Sequence, residues 1–161
     1  MEITTITFQP TSTRRQLYYP YLLSVWRSSY RTLFSPQTEK RALMTNLVKG
    51  GTSFAVPPHT TIMKALPRSV MTSAVSFNEA EEDAFEMLRR FYLHKARSWK
   101  IPDITLQYST LVYVPFEYYV KQTRWLKKDA LFLYEPLSNS EEPLKKHPEI
   151  LEHVSAKEAI G

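Results

Sequence analysis

The chain has 161 residues, enough for one domain with a real core, and its 43% hydrophobic and 23% charged residues describe a globular composition. The net charge is +5, which suits an anionic partner without requiring one. There is no cysteine, so disulfides, thiolate nucleophiles and cysteine-ligated zinc are excluded.

The opening residues, MEITTITFQP, carry no basic-then-apolar leader, and residues 3–8 suggest a short first strand. No apolar run approaches the roughly 18 residues that cross a membrane as a helix. No membrane span and a cytoplasmic location are therefore expected. Residues 16–31, QLYYPYLLSVWRSSYR, are rich in aromatic and aliphatic side chains and predict a strand. Ser35-Pro36-Gln37 marks a turn, and residues 40–48 return as a second strand ended by Lys49-Gly50-Gly51. Residues 16–48 thus predict a long β-hairpin.

Pro57 and Pro58 precede HTTIMKAL, where a short helix is expected, with Pro67 past its end. Ser76 and Glu79 then have the spacing of a capping box, in which each side chain satisfies a backbone N–H of the other. Acidic residues crowd the first turns after it and basic residues the last, which complements the helix dipole. Phe77, Ala80, Ala84, Met87, Leu88, Phe91 and Tyr92 recur at helical steps. One long amphipathic helix over 77–99 is expected, stopped by Pro102.

Residues 103–125 alternate instead. Ile104, Leu106, Tyr108, Val112, Val114, Phe116, Tyr118 and Val120 fall on even positions, which predicts one long strand. Lys127-Lys128-Asp129 reads as a turn and residues 129–135 as the strand that pairs back. Residues 139–161 form a polar C-terminal tail in which Ile150, Leu151 and Val154 allow a short helix.

The stretches YYPYLLSV and YVPFEYYV suggest an internal repeat. Aligning Pro20 with Pro115 sets Leu17, Tyr19, Tyr21, Leu23 and Val25 against Val112, Val114, Phe116, Tyr118 and Val120. The expected fold is α+β over residues 1–138: an antiparallel sheet of two pseudo-repeated β-hairpins, in the order β-β-α-α-β-β, with the long helix on one face. The helix stripe is expected to meet the odd face of 17–25 and the even face of 104–120.

No catalytic constellation is present. The histidines, His59, His94, His147 and His153, lack metal-site spacing, and three glycines leave little for a phosphate loop. No metal and no cofactor are expected. The other face of the sheet raises the functional question, because Tyr18, Trp26, Tyr30, Tyr113, Tyr119 and Trp125 fall there by alternation. Arg14, Arg15, Arg27 and Arg124 supply positive charge nearby in sequence. The expectation is a non-enzymatic binding or adaptor domain that uses this aromatic face for a protein partner or a homodimer. The alternative is a single-stranded nucleic-acid binding protein, stacking bases on the aromatics.

Overall fold

The computed structural model describes residues 1–11, 13–95, 100–122, 124–125 and 129–160, the side chains of Lys95, Ala159 and Ile160 excepted. The fold is α+β, with a mostly antiparallel, open sheet and two α-helices among the described residues. The chain divides into two compact units, and two long strands, β2 (Arg15–Arg31) and β6 (Asp103–Gln122), contribute to both. Unit 1 holds Met1–Tyr19, His59–Thr72 and Tyr113–Gly161; unit 2 holds Pro20–Pro58 and Ser73–Val112.

In unit 2 the aromatic run of β2 pairs antiparallel with β3 (Pro36–Asn46), from Tyr21 opposite Asn46 to Arg31 opposite Pro36. Strand β4 (Thr52–Ala55) folds back onto β3. The turn between them needs Gly50 and Gly51, whose φ values of 79° and 99° are left-handed. The Asn46 carboxamide oxygen closes the turn by accepting the N–H groups of Val48 and Lys49. Helix α1 (Phe77–Arg90) starts at the expected capping box: the Ser76 hydroxyl accepts the Glu79 N–H, and the Glu79 carboxylate accepts the Ser76 N–H. These bonds hold the Glu79 carboxyl below its usual range.

The α1 stripe, continued by Tyr92 in the π-helical turn that follows the helix, packs on the sheet: Ala84, Leu88 and Tyr92 meet Trp26 and Leu43, with Tyr30, Met87, Phe91, Ile104 and Leu106 around them. Ala80 meets Leu22 and Leu47. Burying a side chain the size of Leu88 contributes about 2 kcal/mol.

In unit 1 strand β1 (Glu2–Ile6) pairs antiparallel with β5 (Thr60–Lys64). It meets β6 in parallel at Thr5 and Tyr113, where the Thr5 hydroxyl donates to the Tyr113 carbonyl at 2.9 Å. The later half of β6 pairs with β7 (Asp129–Glu135), and β7 with β8 (Ser140–Pro143). Helix α2 (Pro148–Ile160) buries Ile150 and Val154, and Leu144 just before it is fully buried.

Several expectations are corrected. The order of elements is not β-β-α-α-β-β. HTTIMKAL contains β5 and not a helix, because its β-branched Thr60, Thr61 and Ile62 complete a ladder on β1 that a local reading does not reveal. In place of one α-helix over 77–99 the chain forms α1 and then a π-helical turn at Phe91–Lys95, while α2 is the short helix that the C-terminal tail allowed. Residues 96–99, at the end of the expected helix, and Lys127-Lys128 of the expected turn lie outside the described residues.

The two hairpins exist, but their matched register does not. The repeat matches Arg41-Ala42-Leu43-Met44 with Asp129-Ala130-Leu131-Phe132; Leu22 faces Thr45, so the repeat would set Glu117 opposite Leu133, but Glu117 faces Tyr134. One residue of slip reverses which side chains share a face. What the prolines share is position: Pro20 and Pro115 lie outside the β3 and β7 ladders, so neither removes an N–H from those two pairings.

The face assignment of β2 is also reversed. Leu22, Trp26 and Tyr30, on the even face, are the residues that meet α1. In β6, Ile104 and Leu106 join that core from even positions but Leu111 from an odd one. The alternation slips at Gln107 and Tyr108, two consecutive exposed residues, as an extra residue in a bulge would make it do.

Candidate functional site

The aromatic residues singled out from the sequence are mostly covered. In unit 2 Trp26 is 5% exposed against α1, its ring 6.1 Å from Phe85. Tyr30 is half-buried with its ring 4.7 Å from Tyr92. In unit 1 Tyr18 and Tyr113 are buried, and burial pushes both phenols above their ordinary range. Tyr119 is half-buried under the Arg14 guanidinium, 4.1 Å from its ring centre. Trp125 stands 97% exposed after β6, beside the exposed Arg124. Arg27 is exposed on β2.

A groove of about 710 Å³ opens within unit 1 where three pieces of chain converge. The first is the start of β2, Arg14 to Tyr18. The second is the segment from Lys64 to Ser69, which leaves β5 through a single 3-10 turn at Pro67–Ser69. The third is α2, through His153, Val154, Lys157 and Glu158. Tyr118 of β6 completes the lining.

Backbone pairing holds these pieces together. The Tyr18 carbonyl accepts the Met71 N–H at 3.0 Å, and Tyr18 bridges to Val70. The Met1 carbonyl accepts the Ala65 N–H at 2.8 Å. From the helix side the His153 ring nitrogen Nε2 donates to the Arg68 carbonyl at 3.2 Å. The first two pieces are anchored by backbone and α2 by the His153 ring, so the long cationic side chains are left to line the opening.

Five arginine and lysine side chains line the groove, Arg14, Arg15, Lys64, Arg68 and Lys157, against one carboxylate, Glu158. Glu158 is occupied by Arg15, whose Nη1 lies 2.5 Å from it. Arg14 is drawn the other way. Its Nη1 stands 3.8 Å from the fully buried Glu117 carboxylate, and its guanidinium also lies 4.9 Å from the Tyr134 ring. Glu117 accepts the Thr11 N–H at 2.6 Å. Leu17, Tyr18, Ala65, Leu66 and Val154 supply apolar lining beneath the charges. The Tyr18 hydroxyl is already bonded to the Gln16 side chain at 2.6 Å. The groove can therefore attract negative charge and accept an apolar side chain beside Leu66.

Of the sequence-derived candidates, the groove gathers Arg14, Arg15 and Tyr18. Lys64, Arg68, His153 and Lys157 carry no signal of their own in the sequence, because they come from an unforeseen strand, the turn after it and the C-terminal helix. Among the described residues no three His, Asp or Glu side chains cluster as metal ligands would. The helices among the described residues are too short or too polar to cross a membrane. No family model, no curated protein and no solved structure matches the chain.

Proposed function

We propose that the chain is a non-enzymatic adaptor domain whose unit 1 groove holds a short acidic segment of a partner protein. The observation that carries this reading is the five-to-one excess of cationic side chains around an apolar lining. A segment that alternates carboxylates with aliphatic residues matches both features: the carboxylates reach Lys64, Arg68 and Lys157, and an aliphatic group covers the exposed Leu66. Bidentate pairing would favour the arginines for carboxylate recognition. Base stacking has less support, because the groove's Tyr18 ring is 2% exposed and edge-packed on Phe8.

Fluorescence anisotropy with a labelled peptide alternating Glu and Leu tests the reading. Binding should weaken with salt, and the double change Lys64→Glu, Arg68→Glu should weaken it by about tenfold or more. A peptide affinity indifferent to the double change overturns the proposal, as does tighter salt-dependent binding of a single-stranded RNA of similar charge.

A further inference from the structure

The outer end of the β2–β3 hairpin in unit 2 is built unlike the rest of its sheet. One face is closed, since Trp26 and Tyr30 pack against α1. On the other, Arg27 stands directly opposite Lys40, and both are exposed. Like charges opposite one another across a ladder repel, so this pair weakens the hairpin it belongs to. Arg31 extends the same face, four residues on from Arg27. Between the cations Ser29 and Thr38 hydrogen-bond through their hydroxyls at 3.3 Å. Among the described residues no carboxylate pairs with Arg27, Arg31 or Lys40. The neighbouring Glu39 is taken by Arg41 and by the Tyr92 hydroxyl.

The tip beyond these cations is apolar. Leu33 is 65% exposed and Phe34 91% exposed. The turn is not slack. The Ser35 carbonyl accepts both the Thr32 N–H and the Thr32 hydroxyl at 3.0 Å, and the Ser35 N–H donates to that hydroxyl oxygen at 3.3 Å. These bonds keep the tip closed while both side chains stand outward.

We infer that this hairpin end docks on an anionic lipid surface, with Leu33 and Phe34 entering the acyl boundary and Arg27, Arg31 and Lys40 meeting the headgroup phosphates. Apolar tip first and cations behind is the order in which a bilayer presents its own layers. Charge complementarity chooses an anionic membrane over a neutral one, and it supplies the counter-charge that the Arg27–Lys40 pair lacks. A nucleic acid would match the cations but would leave the aliphatic Leu33 without a role.

Co-sedimentation of the intact protein with phosphatidylserine-containing vesicles, compared with pure phosphatidylcholine, tests the inference. The expected result is binding to the anionic vesicles only. It should fall about tenfold or more in Arg27→Glu, Lys40→Glu, and comparably in Leu33→Ser, Phe34→Ser. The milder pair Arg27→Gln, Lys40→Gln, with a thermal melt no lower than that of the parent chain, separates lost charge from lost folding. Lys64→Glu, Arg68→Glu should leave vesicle binding in place. Equal binding to both vesicle types, no binding, or loss in the groove variant with none in the hairpin variants would overturn the inference. So would retardation of single-stranded RNA that depends on Arg27 and Lys40 without vesicle binding.

Discussion

Arg14 in unit 1 and Arg41 in unit 2 each lie over two aromatic rings beside a carboxylate, yet the two carboxylates are held differently. Arg41 is 4.5 Å from the Phe91 ring centre and 5.5 Å from that of Phe54. Its Nε donates to Glu39 at 2.8 Å, and the Tyr92 hydroxyl donates to the same oxygen at 2.8 Å. Glu39 and Arg41 are about equally exposed, at 32% and 35%. Arg14 lies over Tyr119 and Tyr134, but its partner Glu117 is fully buried, 3.8 Å away, and Glu117 Oε2 has no hydrogen bond among the described residues. The same local device thus closes on itself in one unit. In the other it neutralises a buried charge at a distance that leaves the arginine's remaining donors free beside the groove.

The difference is sharpest when each arginine is removed. Arg14→Ala strands the Glu117 carboxylate without its counter-ion and should cost about 3 kcal/mol, read as a lowered urea midpoint. Adding Glu117→Gln to that variant should restore most of the loss, since an amide still accepts the Thr11 N–H and carries no charge. Arg41→Ala should cost only about 1 kcal/mol, because water reaches Glu39 and Tyr92 continues to donate to it. Equal losses for Arg14→Ala and Arg41→Ala would show that burial of the carboxylate does not separate the two sites.

A smaller effect, read from the alkaline limb of stability, lies in the ring beneath Arg14. Burial pushes the Tyr119 phenol up to about 12, and its hydrogen bond to Glu141 acts in the same direction. The unfolded chain loses that proton near the ordinary value of 10.0, while the folded chain keeps it. Stability contributed by the phenol is therefore complete below pH 10 and is lost as pH rises through about 12. Tyr119→Phe should flatten the fall in unfolding free energy over that window and cost, at neutral pH, only the lost hydrogen bond to Glu141, about 1 kcal/mol. An identical alkaline slope in the variant would mean that other tyrosines, such as Tyr18 or Tyr92, carry the effect.

The legible parts of this chain were those set by neighbours in sequence. The hairpin of β2 and β3 follows from two apolar runs around Ser35-Pro36, and the start of α1 follows from Ser76 and Glu79, which satisfy one another within a single turn. β5 was not legible. Thr60 to Lys64 has a strand's residues, but the prolines around it suggest a helix just as well, and only the ladder on β1 decides between them. Helix α2 was faint because its apolar residues are few, and Ile150 and Val154 gain their meaning from burial in unit 1.

What the sequence determined by itself is the presence of a sheet, the capped helix α1, and two long strands that contain Pro20 and Pro115. Which face of each strand turns inward was decided by tertiary structure. Alternation says that side chains divide into two rows, but both rows of β2 are apolar, so only the arrival of α1 on Leu22, Trp26 and Tyr30 distinguishes them. The groove is a tertiary product for the same reason. Arg14, Lys64, Arg68 and Lys157 come from three separate stretches of the chain, and charges that distant acquire a common field only when tertiary packing sets them around one opening.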